Sequence, residues 1–445
     1  MRERFARTGV LAVLFATCAC AALGGGKPGD SDFFFKDGDK VVIMGDSITE
    51  QHLYSNYLET WIVTRFPSWN ITFRNVGISG DRSPGGNSRF NRDVLPLKAT
   101  AMTVDFGMND GGYGSFNEGS FKTYMAGLQG IADQARSNNI HVAWVTPQPV
   151  EKKEDGPALE GYAATLERFA EGVKAIAETN AGAFADQFHP YLEVMNRARA
   201  ERPGNRVMGG DTVHPGPPGQ AVMASSILKA LNFPTLVSAA EIDATKLAVT
   251  KTEQCQIADI GNGTNGGIRF TRLDAALPYF PDQAKAIVKW TPIVDEMNKY
   301  LLKVTGLKTG NYEVRLGGKK VAEYADTALA EGVNLTQPAL SGGPIADQVK
   351  AVGAAVEAKN RFFHDRIFRG IMLAAANLPD FVENRTNILV EIESQRVSAI
   401  AKRGEDLRKL DSAVRTALVI KPHLVEVVPL TAATVEPEKA PGKPL

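Results

Sequence analysis

Cysteine is scarce: the 445-residue chain has three, and two of them, Cys18 and Cys20, stand near the amino end. If those two leave with a processed leader, Cys255 is alone, so no intramolecular disulfide can form and no cysteine-based metal site exists. Charge of one sign is lacking as well. Lys plus Arg and Asp plus Glu each number 50, so no whole-protein field favours nucleic acid or an anionic membrane, and partners must be found at local sites. Histidine is limited to six residues. No HExxH or CxxC pattern and no dense Asp/Glu/His grouping occurs, so neither a metal nor another cofactor is expected. A GxxxxGK(S/T) phosphate loop is missing, and the absence of a GxSxG elbow argues against an ordinary α/β-hydrolase.

Long hydrophobic runs are also absent. The first residues, "MRERFARTGVLAVLFATCACAALGGG", place three arginines before an apolar stretch from Val10 and then small residues, the order of a secretory signal. That stretch is too short to span a bilayer comfortably. Residues 1–26 are therefore read as a signal peptide cut after a triplet such as Ala19-Cys20-Ala21. A lipidated Cys18 or Cys20 is the alternative, without a leucine-led lipobox before either. Both readings make the protein exported: periplasmic, cell-surface or secreted.

What is present begins with length, since 445 residues exceed what one core usually organises. From about 38 to 234, short β-branched or apolar runs ("KVVIMG", "ITFRNVG", "AMTVDFGMND", "IHVAWVTP", "GAFADQF") alternate with helical patterns such as "SNYLETWIVTRF" and "LEGYAATLERFAEGVKAIAETN". This alternation predicts βαβ units on a parallel sheet, with ligand sites beyond the carboxyl ends of the strands. Residues 240–345 read as a small antiparallel β-domain, with hairpin signals in "LKTGNYEV" and "RLGGKKV" and a helical insert near "PDQAKAIVKWTPIVDEMNKY". Apolar residues at helical spacing predict two long helices in 346–420. The proline-rich end, 421–445, is expected to be disordered.

Chemically suggestive residues sit at the strand ends. Ser47 in "VVIMGDSITE" follows an apolar run, and taken alone it would be a helix N-cap. "NVGISGD" follows the second strand, "GMND" the third, and "DTVHPGPPG" closes the α/β region. In order, "GDS", "NVGISGD", "GMND" and "DTVH" resemble the four motif blocks of the SGNH, or GDSL-type, hydrolase superfamily over roughly residues 40–233.

That resemblance implies a flavodoxin-like three-layer α/β/α domain and a serine nucleophile. Residue by residue, it implies that Ser47 attacks an ester carbonyl, His214 takes its proton and Asp211 orients the imidazole. It assigns the oxyanion to the backbone amides of Ser47 and Gly80 and the side-chain amide of Asn109. Asp46 and Asp110 are expected to brace the loops. Arg82, Arg89 or Arg92 are candidates to contact an anionic or polyhydroxylated substrate, and His52 is a candidate for the pocket rim; His141 would open a buried strand, His189 precedes a proline and His364 would pack in the carboxyl-terminal helix.

The implied activity is a serine esterase hydrolysing carboxylic esters through an acyl-enzyme, on a carbohydrate O-acyl group or similar small ester. A short-chain lipase, lysophospholipase or thioesterase is the alternative within the superfamily. A non-catalytic glycan- or envelope-binding protein on the same scaffold is the alternative outside it, and the β-rich region is a candidate for attachment to polysaccharide or envelope.

Overall fold

The computed structural model describes residues 32–430 apart from 152–158, 160, 203, 205, 375–377 and 380. The expected signal peptide, with Cys18 and Cys20, lies outside the described residues.

Strands β1 (Lys40–Gly45), β2 (Thr72–Asn75), β3 (Ala101–Asp105), β4 (His141–Val145) and β5 (Ala183–Ala185) form one sheet in the order β2-β1-β3-β4-β5, parallel throughout. In β1 and β3 nearly every residue is buried, as a strand covered on both faces requires. Val41 and Ile43 join the core under the helices Leu53–Arg65 and Pro217–Ala230, with Trp61, Ile62 and Val222. Val42 and Met44 point the other way, to Leu128 and Ile131 of Glu118–Ser137 and Phe169 of Tyr162–Thr179. The period-2 alternation of a strand thus splits one apolar run between two cores. The strand order reverses at β1, and such a switch point is where a doubly wound sheet opens a crevice.

Beyond this domain lie β6 (Leu236–Asp243), β7 (Ala248–Glu253), β8 (Cys255–Asn262), β9 (Ile268–Asp274), β10 (Lys299–Thr305), β11 (Asn311–Leu316), β12 (Lys319–Ala325), β13 (Val333–Asn334) and β14 (His423–Pro429). They make two sheets, β13-β10-β6-β7 and β12-β11-β14-β9-β8. The second is antiparallel; in the first, β6 and β10 run parallel, with the helical turns Asp282–Lys289 and Ile293–Met297 leading from β9 into β10, so the expected all-antiparallel pairing of 240–345 is corrected at this pair.

The expected disorder from 421 onward is corrected at its start. His423–Pro429 is a strand in the interior of the five-stranded sheet, paired with β11 and β9. Its "HLVEVVP" buries Val425 and Val427 completely, and prolines only flank this alternating run. Composition masked the period. The rest of that tail, 431–445, lies outside the described residues.

The helical region is no separate appendage either. Pro344–Phe362 continues into a π-helical segment, Phe363–Met372, whose Phe363, Ile367, Phe368 and Met372 enter the same core as Val42 and Met44. Lys359, 1% exposed, pairs with Glu59, 3% exposed, on the Leu53–Arg65 helix, and Asn360 Nδ2 donates to the other Glu59 oxygen at 2.8 Å. Arg74 at the end of the sheet pairs with Asp411 at 2.7 Å, on the long helix Arg385–Ala417. Removing one member of a buried pair leaves an uncompensated charge. Lys359→Met should therefore cost ~3–5 kcal/mol in urea unfolding, and Glu59→Leu added to it should restore most of that loss. An unchanged midpoint in the single variant would contradict this account.

Candidate active site

β1 ends on Gly45, opposite Asp105 of β3. A Cβ on Gly45 would lie 2.1 Å from the Thr49 hydroxyl oxygen and 2.6 Å from the Asp105 carbonyl, so only glycine lets the chain turn there. The turn Ser47–Glu50 follows. Its N-cap is Asp46, whose Oδ1 accepts the Ile48 amide at 2.9 Å. Capping by Ser47 is thereby corrected: a carboxylate one residue earlier does that work, and the Ser47 hydroxyl is left for other partners.

Its partner is His214. Ser47 Oγ and His214 Nε2 are 2.8 Å apart, although the two residues are 167 positions apart in sequence. His214 Nδ1 lies 3.0 Å from Asp211 Oδ2 and 3.2 Å from Oδ1. Asp211 Oδ1 also accepts the amides of Val213 at 2.8 Å and His214 at 2.7 Å. Burial opposes ionisation of this carboxyl, but those amides and the imidazole outweigh it and hold it below the usual carboxylate range. The turn depends on Gly210, at φ +70°, where a Cβ would fall 2.0 Å from the His214 carbonyl.

Gly80 stands at φ +76°, with nothing within 4 Å of where a Cβ would be. Backbone conformation, not crowding by the protein, is what requires glycine. Neither the Gly80 nor the Ser47 amide has a protein acceptor among the described residues. Asn109, 7% exposed, donates through Nδ2 to the Asp81 carbonyl at 2.9 Å and, more weakly, to Asp46 Oδ2 at 3.3 Å. To serve an oxyanion it must exchange the longer of these two contacts.

A residue that sequence reasoning missed orients that amide. Tyr113 donates its hydroxyl to Asn109 Oδ1 at 2.5 Å. Its ring is 38% exposed and its φ of 61° is a conformation that bulky residues avoid. The only local signal is an aromatic set among glycines in "GGYG".

Asp110 braces the neighbouring loop, accepting the Ser83 amide and hydroxyl at 2.9 Å each and the Gly107 amide at 3.1 Å. Burial, partly offset by those bonds, pushes its carboxyl up to about 6. Burial likewise raises Asp46 to about 7, against the Ile48 bond and helped by the charges of Asp110 and Asp81. Asp105 is pushed up by burial and by Asp46, with only Gln187 opposing.

The arginine candidates separate. Arg89 is corrected to a structural role: it is 7% exposed, pairs with Asp81 at 2.7 Å and Asp93 at 3.0 Å, and donates to the Val76 and Gly45 carbonyls. Arg92 is engaged by Asp93 at 2.6 Å. Arg82 is exposed. His52 is no open rim residue; both its ring nitrogens are buried without a partner, burial lowers its pKa to about 4, and it meets His364 edge-on at 4.7 Å. His141 lies 3.5 Å from Asp39 and His189 pairs with Asp186 at 2.7 Å. Among the described residues no cluster of three or more His, Cys, Asp or Glu could hold a metal ion, and no helix is long and apolar enough to cross a membrane.

Serine, imidazole and carboxylate in hydrogen-bonded sequence beside unengaged amides can perform acyl transfer. Comparisons with known proteins agree with that chemistry. Residues 43–222 match the model of the GDSL-like lipase/acylhydrolase family. The chain is 23% identical over 218 residues to an acetylxylan esterase of Geobacillus stearothermophilus, an alignment covering 44% of this chain and 95% of that protein. A solved structure of a gut microbial diltiazem-metabolizing enzyme superposes with a TM-score of 0.75 at 24% identity, over 89% of this chain and 98% of the other. This likeness extends the shared fold into the C-terminal region.

The raised Asp46 carboxyl makes stability depend on pH. A group with a higher pKa folded than unfolded keeps its proton in the folded chain over the interval between the two values. Stability therefore falls as pH rises from about 4 to about 7. Asp46→Asn preserves the cap and removes the titration, so the fall in denaturation midpoint across that window should become shallower. An unaltered slope would refute the assignment.

Proposed function

We propose that this chain, whose residues 43–222 match the model of the GDSL-like lipase/acylhydrolase family, is an exported carbohydrate O-deacylase that hydrolyses carboxylic esters through an acyl-enzyme on Ser47. The observation that carries this reading is the 2.8 Å approach of Ser47 Oγ to His214 Nε2, backed by Asp211 at 3.0 Å.

Ser47 Oγ attacks the ester carbonyl carbon while His214 Nε2 takes its proton, and the ionised Asp211 stabilises the imidazolium through Nδ1. The carbonyl oxygen becomes an oxyanion, received by the Ser47 and Gly80 amides, with Asn109 Nδ2 joining as its 3.3 Å contact to Asp46 is exchanged. Collapse breaks the ester bond, and His214 returns the proton to the departing alcohol. Water then attacks the acyl-enzyme with the same imidazole as base, which releases the acid and restores Ser47.

Carbohydrate as substrate draws support from the acetylxylan esterase likeness across nearly the full length of that protein. The half-exposed Tyr113 ring beside Asn109 offers a flat face on which a sugar ring could stack. Export rests on the arginine-led apolar amino end. Attachment to polysaccharide would fall to the β-rich C-terminal region.

Ser47→Ala should abolish p-nitrophenyl acetate hydrolysis with an unchanged circular dichroism spectrum; retained turnover would end this reading. Asn109→Ala should lower kcat on the order of 10²-fold with little change in KM. In a panel of acetylated xylo-oligosaccharides, p-nitrophenyl butyrate and acyl thioesters, the acetylated sugars should have the highest kcat/KM. A preference for longer acyl chains or thioesters would replace the carbohydrate assignment with a lipase or thioesterase one.

A further inference from the structure

A second network leaves the helical turn that carries Ser47. Glu50, the last residue of that turn, has a side chain 10% exposed, and its two carboxylate oxygens serve different parts of the molecule. Oε2 accepts the Ser79 amide at 2.7 Å and the Ser79 hydroxyl. Oε1 accepts from the guanidinium of Arg369 and faces His364 Nε2 at 3.4 Å. Those last two residues belong to the π-helical segment, more than 300 positions away in sequence, with His364 314 residues beyond Glu50.

Ser79 directly precedes Gly80, so the peptide plane that Glu50 holds is next to the one whose N–H is available to an oxyanion. On the far side of Gly80, Asn109 holds the Asp81 carbonyl and Arg89 holds the Asp81 carboxylate. Gly80 itself is held by neither; its direction is set by these flanking anchors. Removing the Glu50 anchor frees one side.

The π geometry has a specific consequence. His364 and Arg369 are five residues apart, which on an ordinary α-helix places them about 140° around the axis from each other. The wider π turn brings residues five apart toward one face, and both reach the same Glu50 oxygen. His364 also has Asp365 Oδ1 at 2.8 Å from Nδ1, so carboxylates face both ring nitrogens. These contacts raise the His364 pKa. Although burial works against it, Glu50 is held down at about 2 by His364, Ser79 and Arg369, so it stays an acceptor across the working range of an esterase.

We propose that the C-terminal π-helical segment completes the esterase centre: Arg369 and His364 are positioning residues that hold Glu50, and through it the Ser79–Gly80 peptide that receives the oxyanion. This rests on the reading of Ser47 as nucleophile, and its own failure is separable from that one.

The test uses the full chain with Arg369→Ala, Arg369→Lys and Glu50→Gln, assayed on p-nitrophenyl acetate beside Ser47→Ala. Arg369 is 47% exposed, so its truncation leaves no buried void. Arg369→Ala and Glu50→Gln should each lower kcat about tenfold or more, less than the loss of a whole oxyanion donor, with KM within about twofold and Tm unchanged for Arg369→Ala. Arg369→Lys, which keeps the charge, should recover most of the rate. A kcat within about twofold of the parent in either Arg369→Ala or Glu50→Gln, or a loss confined to KM, overturns the proposal. Turnover surviving in Ser47→Ala would instead remove the nucleophile assignment beneath it.

Discussion

Parallel strands require crossover connections, so all five strands of the first sheet end at one edge. The rest of the molecule is arranged around that edge. β1 delivers Asp46 and Ser47, the loop after β2 supplies Gly80, the loop after β3 supplies Asn109 and Asp110, and β5 runs into Gln187 beneath them. Each loop is pinned by a side chain from another: Asp46 takes an Asn109 hydrogen, Asp110 takes Ser83, and Asn75 reaches the Thr49 carbonyl at 2.7 Å. The sheet sets the approximate convergence, and these polar cross-ties set the ångström-level geometry that acyl transfer requires.

Carboxyl groups at this edge fall into two electrostatic classes. Asp46, Asp105 and Asp110 are buried, and burial dominates, with the charge of Asp110 adding to the rise at Asp46 and that of Asp46 to the rise at Asp105, so their charged forms are disfavoured. Asp211 has a side chain 62% exposed and collects two backbone amides and an imidazole, so its charged form is favoured. The same functional group thus serves as a buried brace in one place and as the partner of an imidazolium in the other. Environment makes that division, as it does for carboxyl pairs generally.

The C-terminal region is bound into this arrangement at two depths. Deep in the interface, Lys359 and Glu59 pair beside Asn360, and Phe363 and Phe368 fill space against the sheet. At the rim, Arg369 and His364 meet Glu50. A chain with two β-sheets and two long helices behind its α/β domain could have carried them as a tethered module. Their shared apolar core with β1 makes them a continuation of the catalytic body.

Much of the first domain was legible in the sequence because its signals are local. Apolar runs of strand length alternating with helical periods implied a parallel sheet, and four short blocks marked Ser47, Gly80, Asn109, Asp211 and His214 at strand ends. The second sheet system was less so. "HLVEVVP" lay in a proline-rich tail, and nothing nearby identifies partners in β9 and β11, far back along the chain. Ser47 as cap, Arg89 as substrate contact and His52 as rim residue were reasonable from residue type alone. Each was decided otherwise by which groups lay closest once the chain had folded. By itself the sequence determined the order of elements and the inventory of reactive side chains, since periodicity and turn chemistry act over a few residues. Only the tertiary structure decided which carboxyls burial pushes up and which their partners hold down, that Tyr113 meets Asn109, and that Glu50 meets Arg369. Burial and hydrogen-bond partnership depend on neighbours in space, and those neighbours come from hundreds of residues away.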